Sequence, residues 1–209
     1  MTEAERNLIS SPATGLMIYN TTSNQPNYFN GTYWIDNNGY ISAKIGDSLR
    51  GGIVFYINQP GDYNYSSSNQ SGLIAATSDQ SSGIAWITGG STQTTENGNT
   101  NPALGYGEDN TYAMMDQTGY TGGAAQVCYS YEATDADGEV WDQWILPSKD
   151  ELNKLYINRA VVGGFDTNKS YWSSSESSSI NAFVQVFTGG SQTSNNKNTS
   201  NAVRAIYYY

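Results

Sequence analysis

The sequence contains no histidine and a single cysteine, Cys128. Without His there is no Ser-His-Asp or Cys-His catalytic machinery and no conventional zinc site, which removes most hydrolase chemistries. One Cys forms no internal disulfide, so a disulfide-stapled secreted mini-domain is excluded, and Cys128 reads as a small buried apolar residue. Positive charge is also scarce. Nine Lys and Arg stand against 19 Asp and Glu, a net charge of −10. Such a surface repels phosphate backbones and anionic headgroups, so no nucleic-acid partner is expected. Apolar runs stay well short of the roughly 20 residues of a membrane span, and membrane insertion is not expected. The opening residues, MTEAERNLISS, lack the basic end and apolar stretch of a signal peptide. The expectation is a protein that leaves the cell without one, as a virion component does, or whose leader has been removed. Walker and Rossmann glycine patterns are missing too.

What the chain does hold is aromatic rings and turn formers. Its 209 residues suit one ordinary domain with a short appendage. The apolar fraction of 37% is low, but 17 Tyr and 5 Trp each hide a large area. With 22 Gly and many Asn, Ser and Thr, irregular loops should outweigh long helices.

Two regions follow from the patterning. Residues 1–40 form a small β-hairpin module, for attachment or oligomerisation. The Asn30-Gly31 pair between aromatic stretches predicts a type I′ turn inside a hairpin over 15–36. So short a unit is marginal alone, and a homotrimer built on it is expected. Residues 37–50 read as a linker, and 41–209 as the main domain. There, Gly52–Ile57, Gly72–Thr77 and Ile84–Ile87 are short buried strands, and 88–110 reads as a long surface loop. Residues 123–131 predict a short helix with Ala124, Val127 and Cys128 on one face. Ser148-Lys-Asp-Glu151 is a capping box opening a second helix over 149–158, with Leu152, Leu155 and Tyr156 as its apolar stripe. Phe183–Phe187 predicts a strand with Phe183, Gln185 and Phe187 on one face and Val184 and Val186 on the other. Ala202–Tyr209 is a final strand, expected to pair with 52–57 so that it leaves no open edge.

Several of these pieces occur together in one known family. Gly46-Asp-Ser-Leu-Arg-Gly-Gly-Ile-Val-Phe-Tyr56, Gly72-Leu-Ile-Ala-Ala76, Trp144 to Tyr156, Tyr171-Trp-Ser-Ser-Ser-Glu176 and Val203-Arg-Ala-Ile206 follow in that order. Over residues 46–209 the chain resembles the C-terminal domain of the Legionella collagen-like adhesin, also called the Fibrobacter major paralogous domain. The resemblance implies an α+β, C-type-lectin-like, loop-rich domain with two helices and paired terminal strands. Where that family continues after Val-Arg-Ala with a basic residue, this chain has Tyr207, Tyr208 and Tyr209. Residues 171–206 are also similar to variable regions of target proteins of diversity-generating retroelements. The frame there is Tyr171, Trp172, Glu176, Ala182, Phe183, Gln185, Phe187, Gly190, Gln192, Lys197 and Val203-Arg204, interrupted by residues reachable from Asn codons through adenine changes. Ala13 to Trp34 resembles short hairpin modules in phage tail and surface proteins of Bacteroidetes.

The stretch from Ser173 to Asn201 is therefore the expected binding surface, since short polar side chains on a rigid apolar base hydrogen-bond many partners at low entropic cost. The residues expected to touch ligand are Ser177, Ser178, Ser179, Ile180, Val184, Val186, Thr188, Ser191, Thr193, Ser194, Asn196 and Asn198. No catalytic residues are assigned. Asp150 and Glu151 sit side by side at a helix start and cannot flank a glycosidic bond. Asp135, Asp137, Glu139 and Asp142 offer a calcium-like pattern, but the spacing is not that of an EF-hand, and an acidic surface turn fits better. No cofactor is expected. The expected function is a non-enzymatic, extracellular receptor- or ligand-binding protein, a phage tail tip or bacterial adhesin gripping a host-surface protein or glycan. An invariant carbohydrate-binding or structural cell-surface module is the alternative.

Overall fold

The structure, a computed structural model, describes residues 1–209, the side chain of Ser91 excepted. Its first element is α1 (Glu3–Asn7), opened by a capping box in which Thr2 and Glu5 satisfy each other's amides. Four strands follow, β1 (Met17–Asn20), β2 (Gln25–Phe29), β3 (Trp34–Asp36) and β4 (Ile41–Ser42), as an antiparallel meander. The expected hairpin is thus one part of a larger sheet, and its turn is of another kind. Only Gly31 has positive φ there, at 107°. Asn30 instead accepts the amides of Thr32 (2.9 Å) and Tyr33 (2.7 Å) through Oδ1, an Asx turn in place of the type I′ turn. The buried Arg6 clamps α1 to the sheet, donating to Asn27 Oδ1 (3.2 Å) and Ser42 Oγ (2.6 Å).

A second sheet is formed by β5 (Ser48–Leu49), β6 (Gly52–Ile57), β7 (Gly72–Ala76) and β17 (Ile206–Tyr208), in the order β17-β7-β6-β5. Here the terminal strand departs from expectation. It pairs with β7, with Ile206 opposite Ala75 and Tyr208 opposite Leu73, and β6 lies one strand further in. The reason is burial: every position of β7 is buried, as a central strand requires, so β7 takes partners on both sides. The other edge of β17 is closed by a bridge in which Ile145 and Ile206 exchange backbone hydrogen bonds of 2.9 and 3.0 Å.

The third sheet carries the C-terminal stretch: β8 (Ser81–Ile84), β13 (Ser170–Ser178), β14 (Asn181–Val186), β15 (Gln192–Asn196) and β16 (Asn201–Val203), in the order β15-β14-β13-β16-β8. Two short pairs, β9 (Ile87–Thr88) with β10 (Gly122–Gly123) and β11 (Ala133–Thr134) with β12 (Val140–Trp141), close loops between the larger units. The helices are α2 (Gly107–Met115), α3 (Ala124–Tyr129), α4 (Lys149–Ile157) and α5 (Arg159–Val162). In α4 the Ser148–Glu151 capping box forms as expected. The fold is α+β. Among the described residues it holds five α-helices where two were expected: α1 and α5 are short additions, and α2 begins within the stretch read as a loop.

α3 and α4 lie on opposite faces of the third sheet. On one side Ala124 and Cys128 of α3 pack with Trp86, Trp144, Trp172 and Val184. On the other, Leu152 and Leu155 of α4 pack with Phe55, Tyr171, Phe187 and Ile206. Arg204 pins the far end of the sheet: its guanidinium reaches Asp79 (2.7 Å) and the carbonyls of Ala76 (2.9 Å) and Gly164 (2.7 Å), and it stacks on Phe165.

Candidate ligand-binding surface

Residues opposite each other across antiparallel strands share a face, so register decides what the C-terminal stretch displays. Trp172, Val184 and Thr193 form one row, on the side of α3; Tyr171, Gln185 and Gln192 form the next, on the side of α4. Both faces of β13 and β14 are therefore covered, and alternation along β14 does not separate inside from outside. Val184, assigned to the ligand, is 1% exposed in the core. That assignment is corrected. Phe183, assigned to the frame, is half-buried with the Lys149 ammonium 5.3 Å above its ring. Ser173, Ser174 and Ser175, within the expected surface, are buried as well. They occupy a bulge where three residues of β13 face one of β14, and their hydroxyls and backbone are consumed by the protein. Ser174 Oγ accepts from Asn110 Nδ2 at 3.0 Å, Ser175 Oγ accepts from the Lys149 amide at 3.0 Å, and Trp86 Nε1 donates to the Ser173 carbonyl at 2.7 Å.

The remaining assigned residues reach the surface, most of them at the two ends of the β14–β15 pair. Ser177, Ser178, Ser179 and Ile180 turn the chain from β13 to β14, and Asn196 and Asn198 lie beside them, since Asn181 pairs with Asn196 and the Lys197 amide donates to the Ile180 carbonyl at 2.9 Å. Val186, Thr188 and Ser191 stand at the opposite end, about 17 Å away at the rise of a β-strand. Thr193 and Ser194 lie between, on opposite faces of the edge strand β15. The surface is thus a rim along one edge of the sheet, not a single face.

The first end of this rim is anchored by charge. Lys197, fully buried, forms an ion pair with Glu176. Its ammonium also donates to the Thr95 carbonyl (2.9 Å) and lies 5.1 Å over the Trp86 ring, while Glu176 accepts the Asn97 amide at 2.8 Å. Those contacts fasten the 93–101 segment against the rim. Next to it opens a groove of about 720 Å³, lined among others by Thr95, Glu96, Asn97, Tyr112, Asp116 and Gln117. Its floor is α2. Tyr112-Ala113-Met114-Met115 runs contiguously, without the i, i+3, i+4 stripe that reveals a helix in sequence. The usable signal was Glu108 and Asp109, acidic residues suited to a helix's first turn.

Two other assignments take their place. Asp135 Oδ1 accepts the amides of Asp137 and Glu139, each at 3.0 Å, and Oδ2 accepts Trp141 Nε1 at 2.8 Å, which holds this carboxylate below its usual range. These bonds fold residues 135–141 into a tight acidic turn. Cys128 is buried, and burial pushes its thiol well above the ordinary range, as for a core residue.

Residues 1–51 match a known family, the phage tail like trimerisation region. The match covers α1, the first sheet and β5, about a quarter of the chain. No curated protein matches the sequence. No helix among the described residues is long and apolar enough to cross a membrane.

Proposed function

We propose that this is a non-enzymatic, homotrimeric binding protein of a virion tail or cell surface. The N-terminal module holds three copies together, and the rim of the C-terminal sheet contacts a host-surface protein or glycan. The observation that carries the reading is the contrast within residues 171–201. The base is buried, hydrogen-bonded and ion-paired, while Ser177–Ile180, Thr188, Ser191, Thr193, Ser194, Asn196 and Asn198 stand on it exposed or half-exposed. Rigid support under short polar side chains lowers the ordering cost of binding. The similarity of residues 1–51 to a phage tail like trimerisation region supports the assembly and the virion setting. A C-type-lectin-like arrangement of residues 41–209, with the rim diversified by a retroelement, belongs to the same proposal.

The test is a binding comparison on a panel of bacterial cells and on a glycan array. One variant combines Ser177→Ala, Ile180→Ala, Asn196→Ala and Asn198→Ala; the other combines Thr188→Ala with Ser191→Ala. A loss of at least tenfold in apparent affinity for the first, with folding intact, supports the rim. Unchanged binding by both variants overturns it.

A further inference from the structure

The N-terminal sheet leaves an apolar row bare on one face while polar residues are buried on the other. Along β1 and β2, Met17, Tyr19, Pro26 and Tyr28 point to one face, since Met17 pairs with Tyr28 and Tyr19 with Pro26, and all four are exposed. Met17 is 67% and Tyr19 52% exposed. The opposite face holds Asn20, Asn27 and Asp36, all buried, together with Ile18, Phe29 and the buried Trp34. Their polar atoms are satisfied from within: Asn20 Nδ2 donates to Asn27 Oδ1 at 2.9 Å, Arg6 donates to the same oxygen, and Gln25 donates to Asp36 at 3.0 Å. A two-sided sheet in a lone chain puts apolar residues inward and polar ones outward. Here a hydrogen-bonded network shares the inward face with Ile18, Phe29 and Trp34, and a further apolar row faces outward uncovered.

We infer that the face formed by Met17, Tyr19, Pro26 and Tyr28 is the surface through which copies of this chain associate, its occupant being the same face or its neighbour on two further copies. The inference rests on the trimeric reading and assigns its contact. Four observations choose this occupant and this face. The row lies inside residues 1–51, the portion similar to a trimerisation region. Seven of the fifteen exposed large apolar side chains of the described residues fall in that quarter of the chain. Further across the same face, Ile35 and Ile41 are already covered, Ile41 by the main core, so only the β1–β2 half is bare. The edge of β1 is also blocked at its end, where the Thr21 amide donates to the Met1 carbonyl at 2.8 Å, which favours contact through the face over strand addition. Tyr19 is held in place by its hydroxyl, which donates to the Asn24 carbonyl at 3.1 Å, so little freedom is lost when it is covered. The row is the apolar centre of the contact, and polar neighbours supply its rim.

Sedimentation equilibrium of the full chain tests this against three variants: Met17→Asp with Tyr28→Asp, the milder Met17→Ser with Tyr19→Ser and Tyr28→Ser, and Val140→Asp with Ile157→Asp as a control at exposed apolar sites elsewhere. The expected result is a wild type and control at three times the 22.7 kDa chain mass, and face variants at once that mass with an unchanged far-ultraviolet circular dichroism spectrum. A wild type and both face variants that all remain trimeric overturn the assignment of this face and leave the trimer standing. A monomeric wild type overturns the trimeric reading and the inference with it. If the aspartate variant fails to fold, the serine variant decides by the same masses.

Discussion

The Lys197 ammonium and the Glu176 carboxylate meet as a buried ion pair directly beneath the Ser177–Ile180 turn. Each also binds backbone of the 93–101 segment, so the pair joins β13, the loop after β15 and the wall of the neighbouring groove. Removing one partner of a buried pair leaves the other charge uncompensated, whereas replacing both with apolar groups is close to neutral. Lys197→Met is expected to lower the unfolding free energy by about 3–5 kcal/mol. The double variant Lys197→Met with Glu176→Leu is expected to recover much of that loss, although the Asn97 amide forfeits its acceptor. Urea unfolding of the two variants checks it: equal losses would mean the charge pair is not what holds the rim.

Val184 and Asn196 lie within the same assigned surface and are expected to respond oppositely. Val184 is enclosed by Trp172 and the α3 side of the core. Val184→Asp buries an unpaired carboxylate and should unfold the domain or cost several kcal/mol. Asn196 is exposed, and Asn196→Asp should change stability by no more than about 0.5 kcal/mol. Thermal denaturation of both measures the difference. If Val184→Asp melts like the wild type, β14 does not sit as described.

This contrast marks where sequence reasoning reached and where it stopped. The Ser148–Glu151 box was legible because every atom it needs lies within four residues. Trp172, Phe187, Lys197 and Arg204, assigned to the frame by resemblance, are each buried. Val184 was misread because alternation tells two faces apart but not which is covered, and here α3 and α4 cover both. The partner of β17 was misread for a related reason. β6 and β7 are both apolar, and which one pairs with β17 is fixed by packing between distant segments. The Asx turn at Asn30 escaped because Asn-Gly serves more than one turn geometry.

Glu151 provides a pH-dependent test of how the C-terminus is held. Its carboxylate accepts from the Ser148 amide (2.7 Å), the Gly105 amide (2.8 Å) and the Tyr208 hydroxyl (2.6 Å), tying α4, the 102–106 loop and β17 together. No cation pairs with it among the described residues. Burial therefore outweighs these hydrogen bonds and raises the carboxyl above its ordinary 4.5, and the proximity of Glu151 adds to the burial that raises the Tyr208 phenol. For an acid raised on folding, the protonated form is favoured in the native state. Its stabilising share is full below about 4.5 and is lost as pH rises through the folded value. Glu151→Gln keeps an acceptor and removes the charge, so the wild type should lose stability relative to this variant as pH is raised from about 5 to about 8, above the ordinary carboxyl value. Glu151→Ala removes the acceptors altogether and should cost about 3 kcal/mol at low pH, since three buried donors lose their partner, and less as pH rises and the wild type itself loses stability. Urea midpoints of the three proteins at both pH values decide it. A wild-type-to-Gln difference that does not move with pH would mean that Glu151 stays charged in the folded state at both values.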